Sequence, residues 1–163
     1  MGGGSGLTDF VSWKSSNSKI ASVSNGKVTA KGVGRATITA YTTGGKNVKC
    51  TVTVKGKISD SSISAIKTQS YTGKAVSPAP AVTYGGKKLV KNTDYTVSYS
   101  KNTAIGQASV KITGKGLYKG TKTVNFNIRP ATVTKLKVSS TGEKSVKLSW
   151  KKVTGADLSL IHI

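Results

Sequence analysis

The chain has 163 residues, with 26 lysines and arginines against five acids, a formal net charge of +21, and only 36% apolar and 6% aromatic residues. That apolar content is low for one large core but sufficient for thin sandwiches whose strands each bury one face. One cysteine and one histidine leave no internal disulfide and too few ligands for a zinc cluster.

The positive charge is almost entirely lysine, since Arg35 and Arg129 are the only arginines. Lysine is a hydrated point charge, whereas arginine gives the forked contacts that read phosphates and bases. A lysine excess spread along the chain therefore favours general attraction to anionic surfaces over sequence reading. Lysines alternating with apolar residues, as in Lys135-Leu136-Lys137-Val138, also fit the wet face of a strand and discourage edge-to-edge pairing. No stretch is apolar enough to span a bilayer, and no run at 3.6 spacing is long enough for a helix. Met1-Gly2-Gly3-Gly4-Ser5-Gly6 has neither the charged segment nor the apolar run of a signal peptide. The chain is expected to be a fragment of something longer.

Residues 1–56 form the first expected unit. Apolar and polar residues alternate at period two, which buries one strand face and wets the other. Strands are expected at Phe10–Trp13, Ile20–Ser24, Lys27–Lys31, Ala36–Thr42 and Val48–Val54. Asn25-Gly26 and Gly44-Gly45 supply the positive φ that tight antiparallel turns require. Cys50 falls in phase with Val48, Val52 and Val54, so it is expected to be buried and inert. Trp13, the run Ser15-Ser16-Asn17, the turn from Val23 to Ala30, and Gly34-Arg35-Ala36-Thr37-Ile38-Thr39 together resemble the bacterial immunoglobulin-like group 2 domain. The resemblance implies a surface module that performs no catalysis. The family normally has further strands before its Trp.

Residues 57–129 form the second expected unit. The serines from Ser59 to Ser64 read as a linker. Tyr95, Val97 and Tyr99 share one strand face, and Val124, Phe126 and Ile128 share another. Together with Tyr71-Thr72-Gly73, Gly85-Gly86 and the Gly114-to-Gly120 turn, the pattern resembles an all-β repeat of Gram-positive surface proteins. Gly106-Gln107-Ala108-Ser109-Val110-Lys111 echoes Gly34 to Thr39, each a glycine turn feeding a late strand.

Residues 130–163 resemble the beginning of a fibronectin type III domain. Val133–Val138 is its expected first strand and Ser145–Trp150 its second, with Trp150 facing the core beside Val146 and Leu148. The last run, residues 158–163, reads as one frame of a common transposon sequencing adapter and is expected to be foreign to the protein. It contains His162, the only histidine.

The chemistry of catalysis is thinly represented. Asp9, Asp60, Asp94, Glu143 and Asp157 are scattered singly, whereas sugar hydrolysis needs two carboxylates about one bond. Asp94 is expected to pin the turn into the Tyr95 strand. Gly114-Lys115-Gly116-Leu117-Tyr118-Lys119-Gly120 precedes a strand, unlike a phosphate loop, which opens a helix. Tyr95 and Tyr99 beside Lys101 could stack nucleic-acid bases or sugars, although Tyr at period two with Val97 more commonly packs inward.

The fold expected is all-β, as tandem immunoglobulin-like antiparallel sandwiches. Their buried residues are expected to be Trp13, Val23, Val28, Ile38, Cys50, Val52, Tyr95, Val97, Val110, Ile112, Phe126 and Trp150. The expected function is that of a non-catalytic extracellular part of a bacterial surface protein, in adhesion, spacing or display, without cofactors or metals. Partners would be anionic cell-wall polymers, glycans or host surface proteins, with no specific nucleic acid. The rival readings are a carbohydrate- or wall-binding part of a larger secreted enzyme and a cationic nucleic-acid binder.

Overall fold

A computed structural model of the chain describes residues 11–142 and 145–155. The regular elements among them are β-strands, apart from one short 3-10 turn.

The first set comprises β1 (Ser12–Ser15), β2 (Ala21–Ser24), β3 (Lys27–Ala30), β4 (Gly34–Tyr41) and β5 (Asn47–Val54). β4 lies between β1 and β5, antiparallel to both. β2 and β3 make a separate hairpin closed by Asn25 and Gly26 at φ 46° and 74°. Both residues are left-handed, which gives the two-residue turn whose twist matches that of the strands. The hairpin and the sheet enclose Ala21, Ala36 and Ile38, with Ile20, Val23, Val52 and Val54 half-buried around them.

Three residues expected in this core are instead exposed. Cys50 is exposed, and Trp13 and Val28 are 39% and 40% exposed. The phase itself is as expected, since Ser15, Ile38 and Cys50 stand in one row across the sheet, and Trp13, Ala40 and Val48 in the next. What differs is the cover. Among the described residues β5 is an edge strand of its sheet, and the facing hairpin has only two strands. It packs with Val52 and Val54 but leaves Val48 74% exposed. Trp13 lies over the hairpin turn, its ring against Gly26. Val28 sits on β3, every residue of which is exposed.

The second set begins with β6 (Gly56–Lys57), the 3-10 turn Ile58–Asp60, β7 (Ser62–Ile63) and β8 (Gln69–Ser70). It continues with β9 (Val82–Tyr84), β10 (Lys87–Lys88), β11 (Tyr95–Ser100), β12 (Gly106–Gly114), β13 (Tyr118–Lys119) and β14 (Thr121–Arg129). One sheet has the order β11-β12-β14-β8 and the other β10-β9-β7. Between them lie Ile58, Val82, Leu89, Tyr95, Val110, Ile112 and Tyr118. A neighbouring cluster holds Ala108, Phe126 and Ile128. Val97 is half-buried against the first of these clusters.

The serines read as a linker are part of this fold. Ser59 lies in the 3-10 turn, Ser61 is 2% exposed, and Ser62 opens β7. Hydroxyl-rich sequence resembles a linker, but here Ile58 and Ile63 on either side draw it onto the core. The two glycine-led strands also correspond. Gly34 opens β4 opposite Val54, Gly106 opens β12 opposite Ile128, and each strand lies inside its sheet.

The third set is an antiparallel hairpin of β15 (Lys137–Gly142) and β16 (Ser145–Ser149). The strand expected at Val133–Val138 starts later because Lys135 has φ 58°, which breaks an extended chain. Val133, Leu136 and Val138 are 47%, 58% and 67% exposed, and Trp150 is half-buried. Residues 158–163, with His162, lie outside the described residues.

Candidate functional site

The passage from the first set of strands to the second is closely built. β5 ends at Val54 and β6 begins at Gly56. β6 runs parallel to β13, with Gly56 opposite Tyr118 and Lys57 opposite Lys119. The Gly56 amide donates to the Leu117 carbonyl at 3.0 Å. A β-carbon on Gly56 would lie 2.9 Å from Tyr118 Cδ1, 3.0 Å from Tyr84 Cζ and 3.0 Å from Val33 Cγ2. The glycine therefore permits a close approach that any side chain would block.

Both sides contribute to this joint. Val33, from the connection between β3 and β4, packs on the second core. Tyr84 and Tyr118 meet edge to face, with ring centroids 5.4 Å apart, a favoured aromatic geometry. Just beyond, Ile58 is fully buried. The Lys122 ammonium, on β14, donates to the carbonyls of Ser59 at 3.0 Å and Ser61 at 2.6 Å. It thereby caps the 3-10 turn with a charge-assisted bond. Neither Gly56 nor Lys122 was expected at a special site. The available signal was phase, since Lys122 shares the parity of Val124, Phe126 and Ile128 and so belongs to the inward row.

The tyrosines of the second set face inward. Tyr95 is buried, and Tyr99 donates its hydroxyl to the Pro78 carbonyl at 2.6 Å. Burial pushes both hydroxyls above the usual tyrosine pKa of 10.0, and Tyr95 adds to the rise at Tyr99. Tyr118 is raised as well, first by burial and then by the charges of Asp94 and Tyr84. The pair considered as a stacking platform is thus committed to packing.

Asp94 Oδ2 accepts the Val90 amide at 2.9 Å, pinning the turn before β11. Asp60 accepts the Ser59 hydroxyl at 2.9 Å. Asp9, Glu143 and Asp157 lie outside the described residues. Among the described residues, no three His, Cys, Asp or Glu gather as metal ligands. In the glycine-rich turn, the Gly114 amide donates to Gly120, the Lys115 amide to Asp94 and the Tyr118 amide to Lys115. Those donors are used within the protein, as befits a turn between strands.

Two shallow depressions lie on outer sheet faces. One, of about 200 Å³, is lined by Ser100, Lys101, Gln107, Ala108, Ser109 and Asn125, with no aromatic residue. The other, of about 350 Å³, is lined by Lys14, Ser16, Thr37, Thr39, Tyr41 and Lys49 on the outer face of β1, β4 and β5. Lys14, Thr39 and Lys49 form one row across those three strands.

Residues 5–55 match the family model of the bacterial Ig-like domain (group 2). This family is a non-catalytic Ig-like β-sandwich, typical of bacterial surface and extracellular proteins. No curated protein matches the chain. No helix among the described residues is long and apolar enough to cross a membrane.

Proposed function

We propose that this chain is a non-catalytic, extracellular stretch of a bacterial surface protein that acts as a stiff spacer. Its modules are residues 1–56, a group 2 immunoglobulin-like unit; 57–129, a second sandwich; and 130–163, the beginning of a fibronectin type III unit. The observation that carries this reading is the joint at Gly56. A flexible connection would leave the sandwiches to tumble separately. Here the chain passes directly from β5 into a strand paired with β13, and Ile58 is buried in the next core. Bending at that point must break backbone hydrogen bonds and pull an apolar side chain into water.

The test uses Cys50, the only native thiol, with a second introduced by Lys87→Cys. Spin labels at both positions report the distance between the units. A narrow distance distribution is expected, broadening when a short Gly-Ser segment is inserted between Lys55 and Gly56. An equally broad distribution before the insertion would overturn the spacer reading.

A second reading, attachment to an anionic polymer, is favoured by the depression between Lys14 and Lys49.

A further inference from the structure

β1, β4 and β5 present two faces of opposite character. The inner face carries Ala36 and Ile38, which enter the core. Outward stand Lys14 on β1, Arg35, Thr37, Thr39 and Tyr41 on β4, and Lys49, Thr51 and Thr53 on β5, by register. None of the three strands contains an acid. The two acids among the described residues, Asp60 and Asp94, belong to the second set of strands. Among the described residues, the positive charge of this face is therefore left without a neutralising carboxylate from its own sheet.

The geometry of the Lys14–Thr39–Lys49 row is specific. The two lysines are separated by one strand, so their backbones stand roughly 10 Å apart at two strand spacings. Four-carbon stems from both sides can bring two ammonium groups over the strand between them, onto one small anion. Thr39 forms the floor and is 7% exposed. Ser16 and Thr37 line one side of the depression and Tyr41 the other. Ser16 and Thr37 hold each other in place, since the Ser16 amide donates to the Thr37 carbonyl at 2.9 Å and the Thr37 amide to Ser16 Oγ at 2.8 Å. Arg35 adds a further cation to the same face, four residues before Thr39 on β4.

We propose that this face binds a carboxylated polysaccharide, with Lys14 and Lys49 clasping one carboxylate above Thr39 and the Tyr41 ring resting against the adjoining pyranose. Two ammonium groups alone would serve phosphate equally well. The half-open aromatic ring and the hydroxyl-lined floor favour a sugar acid. An aromatic ring offers its face to the apolar face of a pyranose, and hydroxyls exchange hydrogen bonds with sugar hydroxyls. The proposal rests on the module being displayed outside the cell, and adds attachment to spacing.

A chain of charge +21 retains any polyanion at low salt, so the test compares charge-matched variants. Lys14→Gln/Lys49→Gln removes two charges from the site, and Lys87→Gln/Lys88→Gln removes two from the exposed β10. Binding to polygalacturonate is measured at about 0.15 M salt, where screening has shortened the reach of scattered charges to roughly 8 Å. The site pair is expected to weaken binding about tenfold, or about 1.4 kcal/mol, and the β10 pair less than about twofold. Tyr41→Ala is expected to weaken polygalacturonate binding while leaving binding to a polyglycerol phosphate unchanged. Equal losses in the two lysine pairs, or no binding by the parent chain at this salt, would overturn the site. Equal affinity of the parent for the phosphate polymer, with no effect of Tyr41→Ala, would overturn the sugar. Circular dichroism of each variant separates lost binding from lost folding. The spin-label distances involve no polymer, so failure of the site and failure of the spacer reading are told apart.

Discussion

Single residues decide how tightly the two sets of strands are joined. Ile58 is fully buried beside the joint, so Ile58→Ala is expected to cost about 2–5 kcal/mol in chemical denaturation, the range for truncating a buried aliphatic side chain. Gly56→Ala should cost about 1–3 kcal/mol, because its methyl meets Tyr118, Tyr84 and Val33 at once. A destabilisation by Gly56→Ala below about 0.5 kcal/mol would mean that the rings yield freely. Cys50 tests the other end of the scale. Its exposure predicts full reaction with a thiol reagent such as DTNB in native buffer, with no acceleration on adding denaturant beyond a fewfold change. A thiol that reacts only after unfolding would place it back in the core. The contrast shows which residues the sequence made legible. Ile38, Val110 and Ile112 are buried at 3%, 0% and 0% in inward phases on strands inside their sheets. Cys50 has the same phase but occupies an outer strand. Phase is a local property of the chain, whereas cover depends on how many strands lie opposite.

At the level of elements, turns and alternation were readable because their chemistry is local. Asn25-Gly26 closes β2 onto β3, and Asp94 pins the turn into β11, both from residues adjacent in sequence. The joint was not readable in the same way, because β6 finds its partner β13 far along the chain. Nor was the late start of β15, which depends on the backbone of Lys135 adopting φ 58°. The inward tyrosines give the second set of strands a dependence on alkaline pH. Tyr95, Tyr99 and Tyr118 are all raised above 10.0 in the folded chain, so their neutral forms are favoured by folding. Their contribution is fully present below about pH 10 and is lost as pH rises through the higher folded values. Stability measured by denaturant should fall above about pH 10, with tyrosinate absorbance appearing together with unfolding. Tyr99→Phe should shed the hydrogen bond to Pro78 at neutral pH, costing about 0.5–1.5 kcal/mol, and flatten the alkaline decline. An unchanged slope in that variant would remove Tyr99 from the account.

For the whole molecule, the all-β character follows from many short alternating runs, and residues 5–55 match a family whose domains are non-catalytic. The candidate binding face was only half legible. The lysine excess was plain in composition, but the alignment of Lys14 with Lys49 across Thr39 appears only when three strands are set in register. Among the described residues no strand pairs with the outer flank of β5, and this has a further consequence. Its outer backbone groups and the uncovered Val48 and Cys50 offer a template on which a second molecule could extend the sheet. A chain of charge +21 keeps copies of itself apart by mutual repulsion, and that protection weakens as the Debye length falls from roughly 30 Å at 0.01 M to 3 Å at 1 M salt. Light scattering should therefore register growing self-association with ionic strength, suppressed by Val48→Lys. Brine would be the condition under which this molecule loses its solitude.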